Sequence, residues 1–67
     1  MTIGDLILAA NRDTRIKIII PLLGLRFETT HSGEYFFKME DEYYGKLASK
    51  RVTDISVRDG VLEVKTE

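Results

Sequence analysis

His31 is the single imidazole in the chain, and cysteine is absent. Acid–base and metal chemistry need partners of matched type and spacing. Neither a second histidine nor a thiolate is present to supply them. The alternation of Leu25 to Thr30, followed by His31, Ser32 and Gly33, places that histidine in an exposed turn. The densest acidic run is Glu40-Asp41-Glu42. It lacks the alternating oxygen ligands and the distant bidentate glutamate of a calcium loop, so it reads as a solvated helix start. With Tyr43 and Tyr44 beside it, the same run also has the character of nucleic-acid charge offered to a partner's basic groove. Gly24, Gly33, Gly45 and Gly60 form neither GxGxxG nor a P-loop. Ser32, Ser49 and Ser56 sit in no GxSxG elbow. The expectation is a protein with no catalytic residue, no metal ligand and no cofactor.

The basic side chains Lys46, Lys50, Arg51 and Arg58, with Tyr43 and Tyr44 interleaved, are the candidate nucleic-acid contacts. Acidic residues are interspersed among them and no RNP-like motif occurs, so this is the alternative reading. The whole chain gives no global pull toward nucleic acid or anionic lipid. It carries 10 basic and 11 acidic residues, for a formal net charge of -1. With 43% hydrophobic and 31% charged residues, the composition is globular.

Sixty-seven residues make one domain, 1–67. A chain of this size buries only about 60% of the surface its unfolded form exposes. The apolar tract from Ile18 to Leu25 falls far short of the roughly 20 residues that span a bilayer. No basic region precedes the first apolar residues, so no secretory signal is read there. These features, with the absence of cysteine, lead to the expectation of a cytoplasmic protein with no membrane partner.

Thr2 to Ala10 reads as a helix, because Ile3, Leu6, Ile7 and Ala10 share one face. Thr2 and Asp5 stand at capping-box spacing. Arg15 to Ile20 reads as a strand, with Ile16, Ile18 and Ile20 on one face and Lys17 and Ile19 on the other. Pro21 ends it or marks an edge, and Leu22, Leu23 and Gly24 make a turn or bulge. Leu25–Thr30 and Glu34–Met39 alternate as two strands of a hairpin, with Gly33 available for positive φ at its turn. Glu40–Lys50 reads as a short helix started by Asp41. In Thr53–Thr66, Asp59-Gly60 is a type I′ signal between alternating strands. That turn sets Val57 against Leu62, Ile55 against Val64, Asp54 against Lys65 and Ser56 against Glu63.

The start Met1-Thr-Ile-Gly-Asp-Leu-Ile with Arg15-Ile-Lys-Ile, and the ending Arg51-Val-Thr-Asp-Ile-Ser-Val-Arg-Asp-Gly-Val-Leu-Glu-Val, resemble small uncharacterised proteins of Firmicutes phages, prophages and mobile elements. The likeness covers the two ends, under half of the chain. The N-terminus alone also resembles the small phage inhibitors of type II-A Cas9, acidic proteins that look like DNA to their target. The resemblance implies a mobile-element setting and no known catalysis.

The expected fold is α+β: an N-terminal helix on a mostly antiparallel sheet of four to five strands, with a short second helix and a C-terminal β-hairpin. Two strands apolar on both faces leave one sheet face open in so small a chain. The expected function is a non-enzymatic protein-interaction module, phage- or prophage-derived, that forms a homo-oligomer (a dimer) or binds a host protein. The candidate interface is Ile19, Phe36, Tyr43 and Tyr44, with Arg26 and Lys38 at the rim. The alternatives are a small nucleic-acid-associated regulator and an acidic inhibitor of a host nucleic-acid-binding defence protein.

Overall fold

The computed structural model describes residues 1–39 and 42–67, and for 42–44 the backbone alone. Seven elements follow in order: α1 (Ile3–Ala9), β1 (Arg15–Leu22), β2 (Leu25–Ser32), α2 (Gly33–Phe37), α3 (Glu42–Ala48), β3 (Val52–Arg58) and β4 (Val61–Thr66). The four strands form one sheet in the order β2-β1-β4-β3. Neighbours are antiparallel except β1 and β4, which run parallel. The chain therefore travels from one edge strand to the other between β2 and β3, through α2 and α3. This is the expected α+β architecture, with four strands and three helices among the described residues.

Helix α1 forms where its apolar spacing and cap require. The Thr2 hydroxyl accepts from the Asp5 amide at 3.2 Å, and the Asp5 carboxylate accepts from the Thr2 amide at 3.1 Å. That reciprocal bond satisfies two of the orphan amides of the first turn. It also holds the Asp5 carboxyl below its ordinary pKa of 3.8. Ile3, Leu6 and Ile7 point into the core, where they meet Ile16, Ile18 and Ile20 of β1, Val64 of β4, Phe36 of α2 and Leu47 of α3. The two central strands supply most of the floor of the core.

The stretch from Gly33 to Met39 is not a strand. Strand β2 continues to Ser32, pairing residue for residue with β1 from Leu22↔Leu25 to Arg15↔Ser32. The tight turn is Leu23-Gly24, so eight residues of β1 demand eight of β2. Ser32 then caps α2, its hydroxyl accepting from the Tyr35 amide at 3.2 Å. Lys38 closes the short helix with a 2.9 Å ion pair to Glu34 one turn earlier. Gly33 has no positive φ. Its glycine is required by close approach instead: a Cβ there would lie 2.5 Å from the Asn11 carbonyl oxygen. The Gly33 and Glu34 amides donate to the Thr14 and Arg12 carbonyls at 2.8 and 3.0 Å, which ties α2 to the α1–β1 loop.

Pro21 does not end β1. It pairs with Arg26 one step from the turn. In a two-residue hairpin the closing pair is hydrogen-bonded and the next pair is not. The proline nitrogen therefore faces away from β2, and the parallel pairing with β4 has already stopped at Ile19↔Lys65. The C-terminal hairpin has the register read from its sequence: Val57↔Leu62, Ile55↔Val64, Asp54↔Lys65 and Ser56↔Glu63.

Candidate interaction surface

Strand alternation and register sort the sheet's two faces. Ile16, Ile18 and Ile20 lie toward the helices, together with their partners Phe27, Leu62, Val64, Ile55 and Val57. Lys17, Ile19, Arg26, Glu28, Glu63, Lys65, Asp54 and Arg58 occupy the outer face. That outer face is a charged lattice, with Lys17–Glu28 at 3.4 Å, Arg26–Glu28 at 2.7 Å and Arg58–Glu63 at 3.7 Å. It is not the greasy surface expected from the isoleucine run. Ile19 lies within it, but only 5% exposed, between Glu28 on one side and Lys65 on the other.

Of the residues expected at an interface, the four whose side chains are described fall in three places. Ile19 and Arg26 line one shallow groove with Pro21, Leu25 and Thr66. Phe36 is 1% exposed, turned by α2 into the core under the helices. Phe36 offers no side-chain surface to a partner, and Ile19 only the small part that lines the groove. Lys38 is at the end of α2, tied to Glu34. Its ammonium lowers the Glu34 pKa by hydrogen bonding to the carboxylate. The side chains of Tyr43 and Tyr44 lie outside the described residues, as do Glu40, Asp41 and the cap expected at Asp41.

Of the candidate nucleic-acid contacts, one stands apart from the other three. Lys46, Lys50 and Arg51 fall near the junction of α3 and β3. Arg58 is at the far end of β3, about 23 Å from Arg51 at the usual rise per residue. Arg51 holds Glu67 at 3.8 Å and Arg58 holds Glu63. His31 is not in a turn. It sits half-buried in β2, stacked on Tyr35 at 3.8 Å between ring centroids and edge-on to Phe36 at 5.5 Å. Among the described residues, no group of three or more histidines and carboxylates is placed to hold a metal ion.

The exposed apolar surface is elsewhere, at the margins of the helix-covered face. Three short helices roof the middle of the sheet and leave its two sides bare. On one side is the tip of the β1–β2 hairpin: Leu22, Leu23 and Leu25 are 56%, 95% and 75% exposed, with Phe27 beside them. On the other side is β3, where Val57 is 73% and Ile55 40% exposed. Sequence reasoning missed the first of these.

Both hairpins turn through the same backbone. Leu23 and Gly24 have φ of 50° and 79°, and Asp59 and Gly60 have 53° and 76°. Both are type I′ geometries, which favour asparagine, aspartate or glycine at the first position. A branched apolar side chain in that left-handed region costs on the order of 1 kcal/mol or more. No protein-family model matches the sequence, and no curated protein or solved structure matches it.

Proposed function

We propose that this chain is a non-enzymatic protein-interaction module whose docking element is the β1–β2 hairpin tip. One observation carries the reading. Two turns of equal geometry are built from opposite chemistries, and the leucine at position 23 is both strained and almost fully exposed. Folding gains nothing from it there, so its natural use is contact. The occupant is a protein presenting an apolar groove. A lipid surface is disfavoured because the tip carries only Arg26, already paired to Glu28, whereas interfacial binding draws on several cations. No helix among the described residues is long and apolar enough to cross a membrane. A phage or prophage setting with a host protein as partner belongs to this proposal and rests on the resemblance of the two chain ends.

The test is a matched set of tagged chains used for capture from the native cell: parent, L23N with L25T, and D59N. The parent and D59N should retain one partner that L23N/L25T loses, with all three equally folded. Equal recovery by all three chains would overturn the reading.

A further inference from the structure

The second bare margin has a different logic. Strand β3 is an edge strand, and edge strands present unpaired backbone groups that invite another strand. Counting from the Asp59-Gly60 turn, Arg58 and Val61 form the closing hydrogen-bonded pair, so Ser56 and Asp54 also point their backbone groups at β4. Met1 and Thr2 cover the start of this edge, where the Val52 amide donates to the Met1 carbonyl at 2.9 Å; beyond it the amides and carbonyls of Ile55 and Val57 point outward, where the sheet has no further strand. Natural edges are blunted by proline, inward-pointing charge or bulges. From Asp54 to Arg58 there is no proline, the helix-facing side chains are Ile55 and Val57, and the only register shift lies before this run, between Val52 and Asp54.

The run Asp54-Ile55-Ser56-Val57-Arg58 is complementary to itself when reversed. We propose that β3 pairs antiparallel with β3 of a second copy of this chain, about a two-fold axis through Ser56. In that register Ile55 and Val57 meet their counterparts, Val57 and Ile55, through outward backbone bonds. On the outer face each Asp54 stands opposite an Arg58. Moving the axis to Ile55 sets Asp54 against Ser56, and moving it to Val57 sets Ile55 against Asp59. Only the Ser56 register pairs every apolar side chain with an apolar one and every charge with its opposite. The contact is isologous, so it closes after two chains. It extends the sheet to eight strands and brings two bare apolar margins together between the two helical roofs. The other edge, β2, is a poorer candidate. Its Arg26 and Glu28 hold each other at 2.7 Å, closer than the 3.7 Å between Arg58 and Glu63, and a two-fold at Phe27 would leave Leu25 against Thr29.

This inference shares the interaction-module reading but rests on another surface, so the two fail separately. A contact of this size is at the small end of stable interfaces, and its dimer is concentration-dependent. Sedimentation equilibrium from micromolar to millimolar chain should show the parent passing from one chain mass to two. D54R alone and R58D alone each set like charges opposite one another, and each should weaken the dimer about tenfold or more. Mixing D54R with R58D restores both pairs, so the mixture should recover a heterodimer of near-parental affinity. Recovery on mixing also shows that both chains fold. A parent that stays monomeric throughout overturns the inference and leaves the hairpin reading standing. A dimer that survives both single substitutions, or single variants that do not recover on mixing, also overturns it. Loss of such a dimer in L23N/L25T would assign self-association to the hairpin tip instead.

Discussion

The two β-hairpins share a turn type and little else. The β3–β4 turn uses Asp59-Gly60, the pair that left-handed backbone favours, and exposes a polar tip. The β1–β2 turn imposes the same φ values on Leu23-Gly24 and exposes three leucines. The bases differ as well. Helix α2 is locked against the base of β1–β2 through Gly33 and buries Phe36 beside His31, whereas β3 is left uncovered along most of its length. The difference separates what folding needs from what it does not. The first hairpin is anchored by its base and tolerates a costly tip; the second is specified by its turn and leaves its edge open.

The largest way to break the contrast is at the anchored base. Phe36→Ala should cost about 3–5 kcal/mol, enough to unfold much of so small a domain, as read by denaturant melts. Val57→Ala on the uncovered strand should cost far less, because its side chain is mostly in water. Gly33→Ala forces a Cβ into the Asn11 carbonyl. It should destabilise by about 2 kcal/mol, where a surface position would show almost none.

The turns themselves sharpen the comparison. Leu23→Asn should raise stability by about 1 kcal/mol, because asparagine tolerates the left-handed region. That is a gain of about 4–8 °C in Tm for a domain of this length. Asp59→Leu should lower stability by a similar amount. Equal signs for the two substitutions would mean that the turns are not equivalent.

The smallest effect is electrostatic. The Glu34 carboxyl is held below its ordinary pKa of 4.5 by its bond to Lys38. A carboxyl with a depressed folded pKa contributes stability above its unfolded pKa and loses it as pH falls through the folded value. Acidification should therefore loosen α2 before global unfolding. Amide exchange at Lys38, corrected for intrinsic rate, should rise more in acid than at Val61, and Glu34→Gln should remove that difference.

These contrasts also explain what was legible in the sequence. Helix α1 and the β3–β4 hairpin were readable because each is announced locally, by Thr2 with Asp5 and by Asp59-Gly60. The β1–β2 hairpin was not, since leucine gives no sign of a left-handed residue. Leu22, Leu23 and Gly24 read as a turn or bulge but not as the closure of a hairpin, so the pairing of Leu25–Thr30 shifted downstream onto Glu34–Met39, whose alternating aromatics imitate a strand. Ser32 as a cap and Glu34 with Lys38 at helical spacing were the opposing signals. The error also misplaced one candidate interface residue. Phe36 was read as sheet surface and is core, and the leucine tip was passed over. The parallel pairing of β1 with β4 has no local signature, so nothing marked β3 as an open edge.

The central claim is that the Leu23 tip is a contact surface while the matching Asp59 tip is not. The most direct measurement places a photoreactive phenylalanine analogue at position 23 or at position 59 and irradiates in the native cell. The account predicts one discrete adduct with a different protein from position 23 and none with a different protein from position 59, where only a second copy of this chain is within reach. Equal adducts of that kind from both positions, or none from position 23, would contradict it.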